Sequence, residues 1–359
     1  GLNASLIAYP VLILYVFAMF SSLFAGGFVT RFGAWRTSQL ALLLIGFSHL
    51  MFMGGSLLLI AIGSAILGWA YGMITPPASH LLSKVATPKN RNLIFSIRFT
   101  GVPIGGVLAG ILAPQLALEF GWRQSMLFAI LLAAALCIAM QPFRDKWDTD
   151  KSIDAALFRN PLNDLKLVWQ LTSLRWVALF GMCMGAVQTT LTTFTVTMLV
   201  EDIGYSLVAA GLGLSIIQFS SVFGRVGWGW FADKINNGPL TLMLIALIAT
   251  ICALTTVMLS SHWPPFLVYT LCFLFGIAGM GWNGVYASEI VRLSPKDEIG
   301  KTTGASFFIT FSGVFVGPLL FTSGYSIVNS YSVSFTLTAI IAILAFFFVL
   351  KSQAKTTVN

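Results

Sequence analysis

The chain has 359 residues, of which 57% are hydrophobic, 13% aromatic and only 9% charged, with a formal net charge of +8. A soluble domain is about 45–50% apolar and about 25% charged, so so few charges cannot cover a water-facing surface. Disordered chains, which are polar and highly charged, are excluded by the same figures. This is the composition of an integral membrane protein.

A bilayer core is crossed by about 20 apolar residues in helical form. Runs of that kind predict helices over 5–29, 38–55, 56–81, 93–118, 124–143, 174–200, 206–232, 239–259, 264–291, 302–328 and 331–350, eleven in all. None alternates in the manner of the roughly ten-residue strands of a membrane barrel. Nineteen of the 20 Lys and Arg residues fall on one set of connections or just inside a helix end beside it, and only Arg123 falls on the other. By the positive-inside rule, this asymmetry puts the C-terminus in the cytoplasm and Gly1 outside.

The longest connection, 144–173, is cytoplasmic and polar, and residues 154–171 within it carry helical character. It divides the chain into an N-terminal helical bundle (1–143), a linker (144–173) and a C-terminal helical bundle (174–359). The basic residues are scattered in short interhelical pieces without interleaved aromatics, so no nucleic-acid footprint is present. Cys137, Cys183, Cys252 and Cys272 lie inside apolar runs without paired spacing, and the three histidines form no cluster. No metal or cofactor is expected, and no enzyme, since a membrane-embedded active site needs clustered His, Asp or Glu.

An internal repeat runs through the chain. Gly26-Gly27-Phe28-Val29-Thr30-Arg31 aligns with Gly229-Trp230-Phe231-Ala232-Asp233-Lys234 at an offset of 203. Residues 95–105 align with 307–317 at an offset of 212, identical at six of eleven positions. A weaker match at 209 puts Gly72, Ala78, Ser79 and His80 over Gly281, Ala287, Ser288 and Glu289. Both halves face the same way, as in the parallel repeats of some secondary transporters. The helix at 174–200 precedes its half's glycine motif by one full span, and its counterpart falls before residue 1. The sequence is therefore expected to lack one N-terminal helix of a six-plus-six protein.

These motifs resemble those of the major facilitator superfamily. The loop Gly26–Arg36 is similar to the signature between that family's second and third helices, and Gly224–Lys234 to its second-half copy. Residues 101–110, Gly-Val-Pro-Ile-Gly-Gly-Val-Leu-Ala-Gly, are similar to the glycine-proline motif of its fifth helix. The resemblance implies an all-α membrane fold of two pseudo-symmetric six-helix bundles rocking about a central cavity, with eleven of the twelve helices present here. It also implies that the signature acid caps a neighbouring helix and joins a cytoplasmic charge relay. Asp233 supplies that acid in the second half, with Glu289 placed to complete the relay with Arg225 or Lys234. In the first half Thr30 and His80 stand at those places beside Arg31 and Arg36, so a weaker latch is expected there.

Among candidate substrate-binding residues, Arg98 lies about 8 Å of helix inside its span at 1.5 Å per residue. A charge inside a span marks a substrate path or snorkels to the headgroups. Gln218 falls on a small and polar face with Gly211, Ser215, Val222 and Arg225, and Gln188 shares a face with Thr192 and Thr195. Trp282, Asn283, Tyr286 and Tyr71 occupy helices that line the cavity in the family; the plainer reading is packing between helices. Gly101, Pro103, Gly105, Gly106, Gly110, Gly313 and Gly317 are read as helix-packing positions, with Pro103 able to kink its helix. No Asp or Glu lies mid-span.

The expected function is secondary active transport of a small solute by alternating access in the inner (plasma) membrane. A positive Arg98 in spans that hold no mid-span acid favours a small organic anion such as a carboxylate. The partners are that substrate, the lipid bilayer and a coupling proton or other ion, with no nucleic acid and a monomeric protein. The alternative is an exporter of hydrophobic drugs, and the remote one a non-transporting receptor or scaffold.

Overall fold

The computed structural model describes residues 8–152, 154–155, 157 and 160–353; Gly1, and with it the expected outer terminus, lies outside them. The described residues form α-helices and no strand. In chain order the helices are α1 (Ala8–Phe32), α2 (Ala34–Met53), α3 (Leu57–Gly72), α4 (Thr75–Val85), α5 (Arg91–Phe120), α6 (Trp122–Met140), α7 (Arg144–Trp147), α8 (Pro161–Gln170), α9 (Thr172–Glu201), α10 (Leu207–Lys234), α11 (Gly238–Val257), α12 (Pro265–Gly279), α13 (Asn283–Leu293), α14 (Ile299–Val328) and α15 (Tyr331–Gln353).

Within the described residues every expected span is occupied by helix, though residues 5–7 of the first lie outside them, and two of the spans break. The span expected at 56–81 is α3 followed by α4, interrupted at Met73 and Ile74 just before Thr75-Pro76-Pro77. Prolines have no N–H to donate and therefore sit naturally in the first turn of the new helix. The span at 264–291 is α12 followed by α13, so Trp282 lies at the break and Asn283 opens the second helix. Among the described residues, ten stretches can cross a membrane by length and apolar content, against the eleven expected. The difference is α2, which has spanning length but carries Arg36, Gln39 and His49. Within the expected linker, the helical character of 154–171 is realised as α8.

Local chemistry sets several helix starts. Ser56 accepts from the Leu59 N–H, Ser206 from Ala209 and Asn237 from Leu240, each supplying an acceptor to a first-turn donor that has none inside its helix. The start of α2 is different. Gly33 adopts φ 92°, and the Asp148 side chain occupies the place a Cβ would take. Its carboxylate accepts from the N–H groups of Trp35 (2.8 Å) and Arg36 (3.0 Å).

The chain forms two compact units. One comprises residues 1–85, 105–168 and 294–308, the other 86–104, 169–293 and 309–359, so α5 and α14 each contribute to both. In the first unit Ala25, Ala41 and Met73 form a small core with Phe28, Leu40, Leu44 and Trp69 around it. The second unit buries Trp282, Tyr286, Phe180, Phe321 and Phe335. Small polar residues such as Ser21, Ser22, Ser220, Ser221, Thr302 and Thr303 are fully buried, whereas Leu131, Phe219 and Ile251 are exposed. That distribution suits lipid, where helices associate through small residues rather than by excluding apolar ones.

The packing glycines divide into two groups. A Cβ at Gly313 would strike the Met182 carbonyl, and one at Gly317 would lie 2.7 Å from Ala186, so α14 packs on α9 almost backbone to backbone. At Gly101, Gly105, Gly106 and Gly110 a Cβ would meet nothing within 4 Å. The close approach expected at those four is therefore not made by any described residue. Pro103 is buried and α5 continues through it as one helix.

Candidate functional site

The second-half signature lies on the last turns of α10, in the second unit. Asp233 accepts from the backbone N–H of Asn92 (3.0 Å), from its side-chain amide (2.9 Å) and from the Leu93 N–H (2.8 Å). A carboxylate there meets the positive end of the α5 dipole and its unsatisfied first-turn donors. Gly229 and Gly284 make room for this contact, since a Cβ on either would run into Ser96 of α5. Lys234 is exposed and sits 4.8 Å over the Trp230 ring. Glu289, 1% exposed, holds Arg292 one turn along α13 at 2.7 Å.

One turn or more deeper, Arg225 is 2% exposed. Its guanidinium donates to the carbonyls of Phe99 (2.6 Å) and Met280 (3.2 Å) and to Asn283 Oδ1 (3.5 Å). The Met280 carbonyl stands at the break between α12 and α13, where no helical donor claims it. Arg98 is half-buried, with its guanidinium 4.3 Å from the Phe99 ring centroid. Phe99 is thus approached by two arginines, one on its ring and one on its carbonyl.

A second cluster lies in the same unit. Trp282 Nε1 donates to Gln188 Oε1 at 3.1 Å, and the Trp282 ring stands 5.2 Å from Tyr286 and 6.1 Å from Phe180. The Tyr286 hydroxyl and Thr310 Oγ1 are 2.7 Å apart. Gly181 permits this, because a Cβ there would collide with the Tyr286 ring. The structure therefore brings together Gln188, Trp282 and Tyr286, and separately Arg225 and Asn283. Gln218 is half-buried on α10, and no side-chain hydrogen bond joins it to either group among the described residues. Phe99, Phe180 and Thr310 were not singled out from the sequence, where apolar and threonine positions within spans carry no distinguishing mark.

In the first unit Tyr71 is 37% exposed and meets Tyr15 edge-on at 6.3 Å. Thr30 turns its hydroxyl to the Gly26 carbonyl of its own helix. Arg31 donates to the Ala155 carbonyl at 3.2 Å, and Arg36 to the side chains of Gln39 and Gln141. The acids here come from the connection after α7, which the sequence reading treated only as polar linker. Asp148 caps α2, and Asp150 receives His80 Nε2 at 2.7 Å and Lys84 Nζ at 2.8 Å. Burial raises the Asp150 carboxyl, but the hydrogen bonds and charges of Lys84 and His80 outweigh it and leave its pKa below the ordinary value.

The chain is 25% identical to the gentisate transporter of Corynebacterium glutamicum, over 82% of its own length and 67% of that protein's. It is 23% identical to a probable hexose phosphate transport protein of Chlamydia pneumoniae, over 77% and 68%. The Escherichia coli fucose:proton symporter shares the fold, with a TM-score of 0.74 at 14% identity over 96% of this chain and 90% of that one. These relatives are transporters, and the chain, too, is a multi-pass, non-enzymatic secondary transporter. The sequence pattern of the Major Facilitator Superfamily matches residues 1–318, so the chain belongs to that family.

Proposed function

We propose that this transporter carries a small organic anion, and that Arg98 is the cation the anion meets. The observation behind this reading is the convergence of Arg98 and Arg225 on Phe99 in a chain with no mid-span carboxylate. A unit charge 4 Å from a guanidinium gains about 4 kcal/mol at an effective dielectric constant of 20, a term that a neutral solute forgoes and a hydrophobic cation must oppose. Gentisate and hexose phosphate, for which the two relatives are named, are both anions, which favours the same class.

In this reading Gln188, Gln218 and Asn283 offer amide hydrogen bonds, and Trp282, Tyr286 and Tyr71 offer aromatic surface. Transport follows when the bound anion stabilises the occluded arrangement relative to both open ones, because a ligand shifts conformations only by its differential affinity for them. Asp233 on the α5 terminus, with Arg225, Lys234 and Glu289, serves as the charge relay of the second unit, Arg31 and Arg36 serve that of the first, and the bundles 1–143 and 174–359 move during transport. A coupling proton or other ion, a monomeric state and the plasma membrane complete the proposal.

The test is uptake into proteoliposomes of matched small carboxylates, hydrophobic cations and neutral solutes. Carboxylate uptake lost in Arg98→Gln, with the variant still monodisperse, is the expected result. Wild-type uptake in that variant, or movement of hydrophobic cations alone, overturns it; the latter makes drug export the better reading.

A further inference from the structure

The basic end of the second unit contains a cavity of about 290 Å³ that borders the relay residue Glu289 and lies apart from the aromatic cluster. Its wall includes Arg91 and Asn92 at the start of α5, Asn236 in the turn before α11, Arg292 of α13 and Ser352 near the end of α15. Glu289 also lines it, but both Nε and Nη2 of Arg292 are spent on Glu289 Oε2, at 2.8 and 2.7 Å. That pair is joined directly, while Arg91 feels Glu289 and Asp233 only through space. Arg91 is different. Its Nε donates to Ser288 Oγ at 3.0 Å, and of the five N–H donors of a guanidinium the four on its two Nη atoms have no acceptor among the described residues.

We infer that this cavity binds a phosphate group, with Arg91 as its principal ligand. A planar guanidinium with both Nη groups available matches the oxygens of a phosphate in paired, charge-assisted hydrogen bonds. The rest of the wall is mostly polar, with amide and hydroxyl groups beside Pro88 and Pro239, and the volume exceeds that of the phosphate, leaving room for the glycerol or sugar of an ester. The group has two possible sources, the headgroup of an anionic phospholipid and a free phosphate in solution. Either one, when bound, joins the start of α5 to α13 and to the end of α15 and so stabilises the arrangement seen here.

The experiment uses the full chain and reads binding rather than flux, so it is independent of the substrate reading. Thermal unfolding is followed in detergent against inorganic phosphate at constant ionic strength, and in nanodiscs of phosphatidylcholine with and without phosphatidylglycerol. A ligand that binds only the folded protein raises its apparent stability saturably. Stabilisation by phosphate assigns the soluble source, and stabilisation confined to phosphatidylglycerol discs assigns the lipid. In either arm Arg91→Gln is expected to weaken binding at least about tenfold, or about 1.4 kcal/mol, while Ser288→Ala, which leaves the guanidinium in place, retains it. Asn236→Asp serves as a second probe: the position is exposed with φ 49°, Asp tolerates that backbone, and the added charge must repel the ligand. No stabilisation in either arm, or full stabilisation in both Arg91→Gln and Asn236→Asp, overturns the inference.

Discussion

The contact between Asp233 and the start of α5 permits a quantitative test. Replacing Asp233 by Ala removes the acceptor for three donors, the N–H groups of Asn92 and Leu93 and the Asn92 side-chain amide. Loss of a capping acceptor costs about 0.5–2 kcal/mol, and loss of a negative charge at a helix N-terminus about 0.3–1 kcal/mol. Asn92 is only 5% exposed, so its abandoned amide adds a desolvation penalty of about 1–3 kcal/mol. These terms overlap, and the expected total for Asp233→Ala is about 2–4 kcal/mol. Asp233→Asn keeps a carbonyl acceptor but loses the charge, and about 1–2 kcal/mol is expected. The hydroxyl of Thr30, the repeat equivalent, bonds only within its own helix, and the carbonyl that receives Ser152 survives the substitution, so Thr30→Ala should cost less than about 0.5 kcal/mol. Thermal unfolding in detergent of the four proteins, wild type included, ranks them directly. Asp233→Ala indistinguishable from wild type would refute the capping account, and Asp233→Asn indistinguishable from wild type would refute its electrostatic part.

Asp150→Asn is expected to cost no more than about 1 kcal/mol at neutral pH, because the His80 and Lys84 pair is partly solvated, as chemical denaturation of the purified protein will measure. Its pH dependence has a definite sign: a carboxyl whose folded pKa is depressed contributes fully above the ordinary Asp value of about 3.9 and loses that contribution as pH falls through the depressed one, so wild type and variant should converge in strong acid. Gly313→Ala is expected to destabilise by more than about 1 kcal/mol through its clash with the Met182 carbonyl, whereas Gly106→Ala, facing no described atom, should be neutral or gain up to about 1 kcal/mol in helix propensity. Equal effects from the two alanines in a thermal-shift comparison would show that the two helix faces are packed alike.

The spans were legible because each is a long apolar run whose backbone must satisfy itself inside lipid. The breaks at Met73 and Met280 were not, since a search for spans of about 20 residues averages over the fall in apolar content from α3 to α4 and from α12 to α13. The acid at Asp233 could be read from the repeat, and so could its capping role through the family resemblance. That it would meet Asn92 could not, because the contact joins residues 141 positions apart. Arg98 was visible as a charge inside a span, but its neighbour Phe99 looked like any other apolar residue until Arg225 was found on its carbonyl. Gly106 and Gly313 are alike in sequence and opposite in surroundings, so no local pattern distinguishes them.

Thr30 and His80, which stand where the second half has Asp233 and Glu289, do not leave the first unit without acids. The carboxylates arrive from another part of the chain. In the second half α11 is capped by Asn237, the residue immediately before it, and Glu289 finds its arginine one turn away on the same helix. In the first, α2 is capped by Asp148, 112 positions from Arg36, and His80 and Lys84 share Asp150, reached across 70 and 66 positions. The α11 cap and the Glu289 pair are thus local in the second half, although Asp233 itself reaches Asn92 141 positions away, whereas the first half draws both of the matching acids from residues 148–150. A contact supplied within a helix or its cap persists as long as that helix does. One supplied by a connection persists only while the connection holds its path, and this path is tied to α1 by the Ser152 N–H on the Thr30 carbonyl and by Arg31 on the Ala155 carbonyl. Thr30 and Arg31 of the first-half signature thus hold the connection in place, and the connection in turn carries the acids that the signature itself lacks.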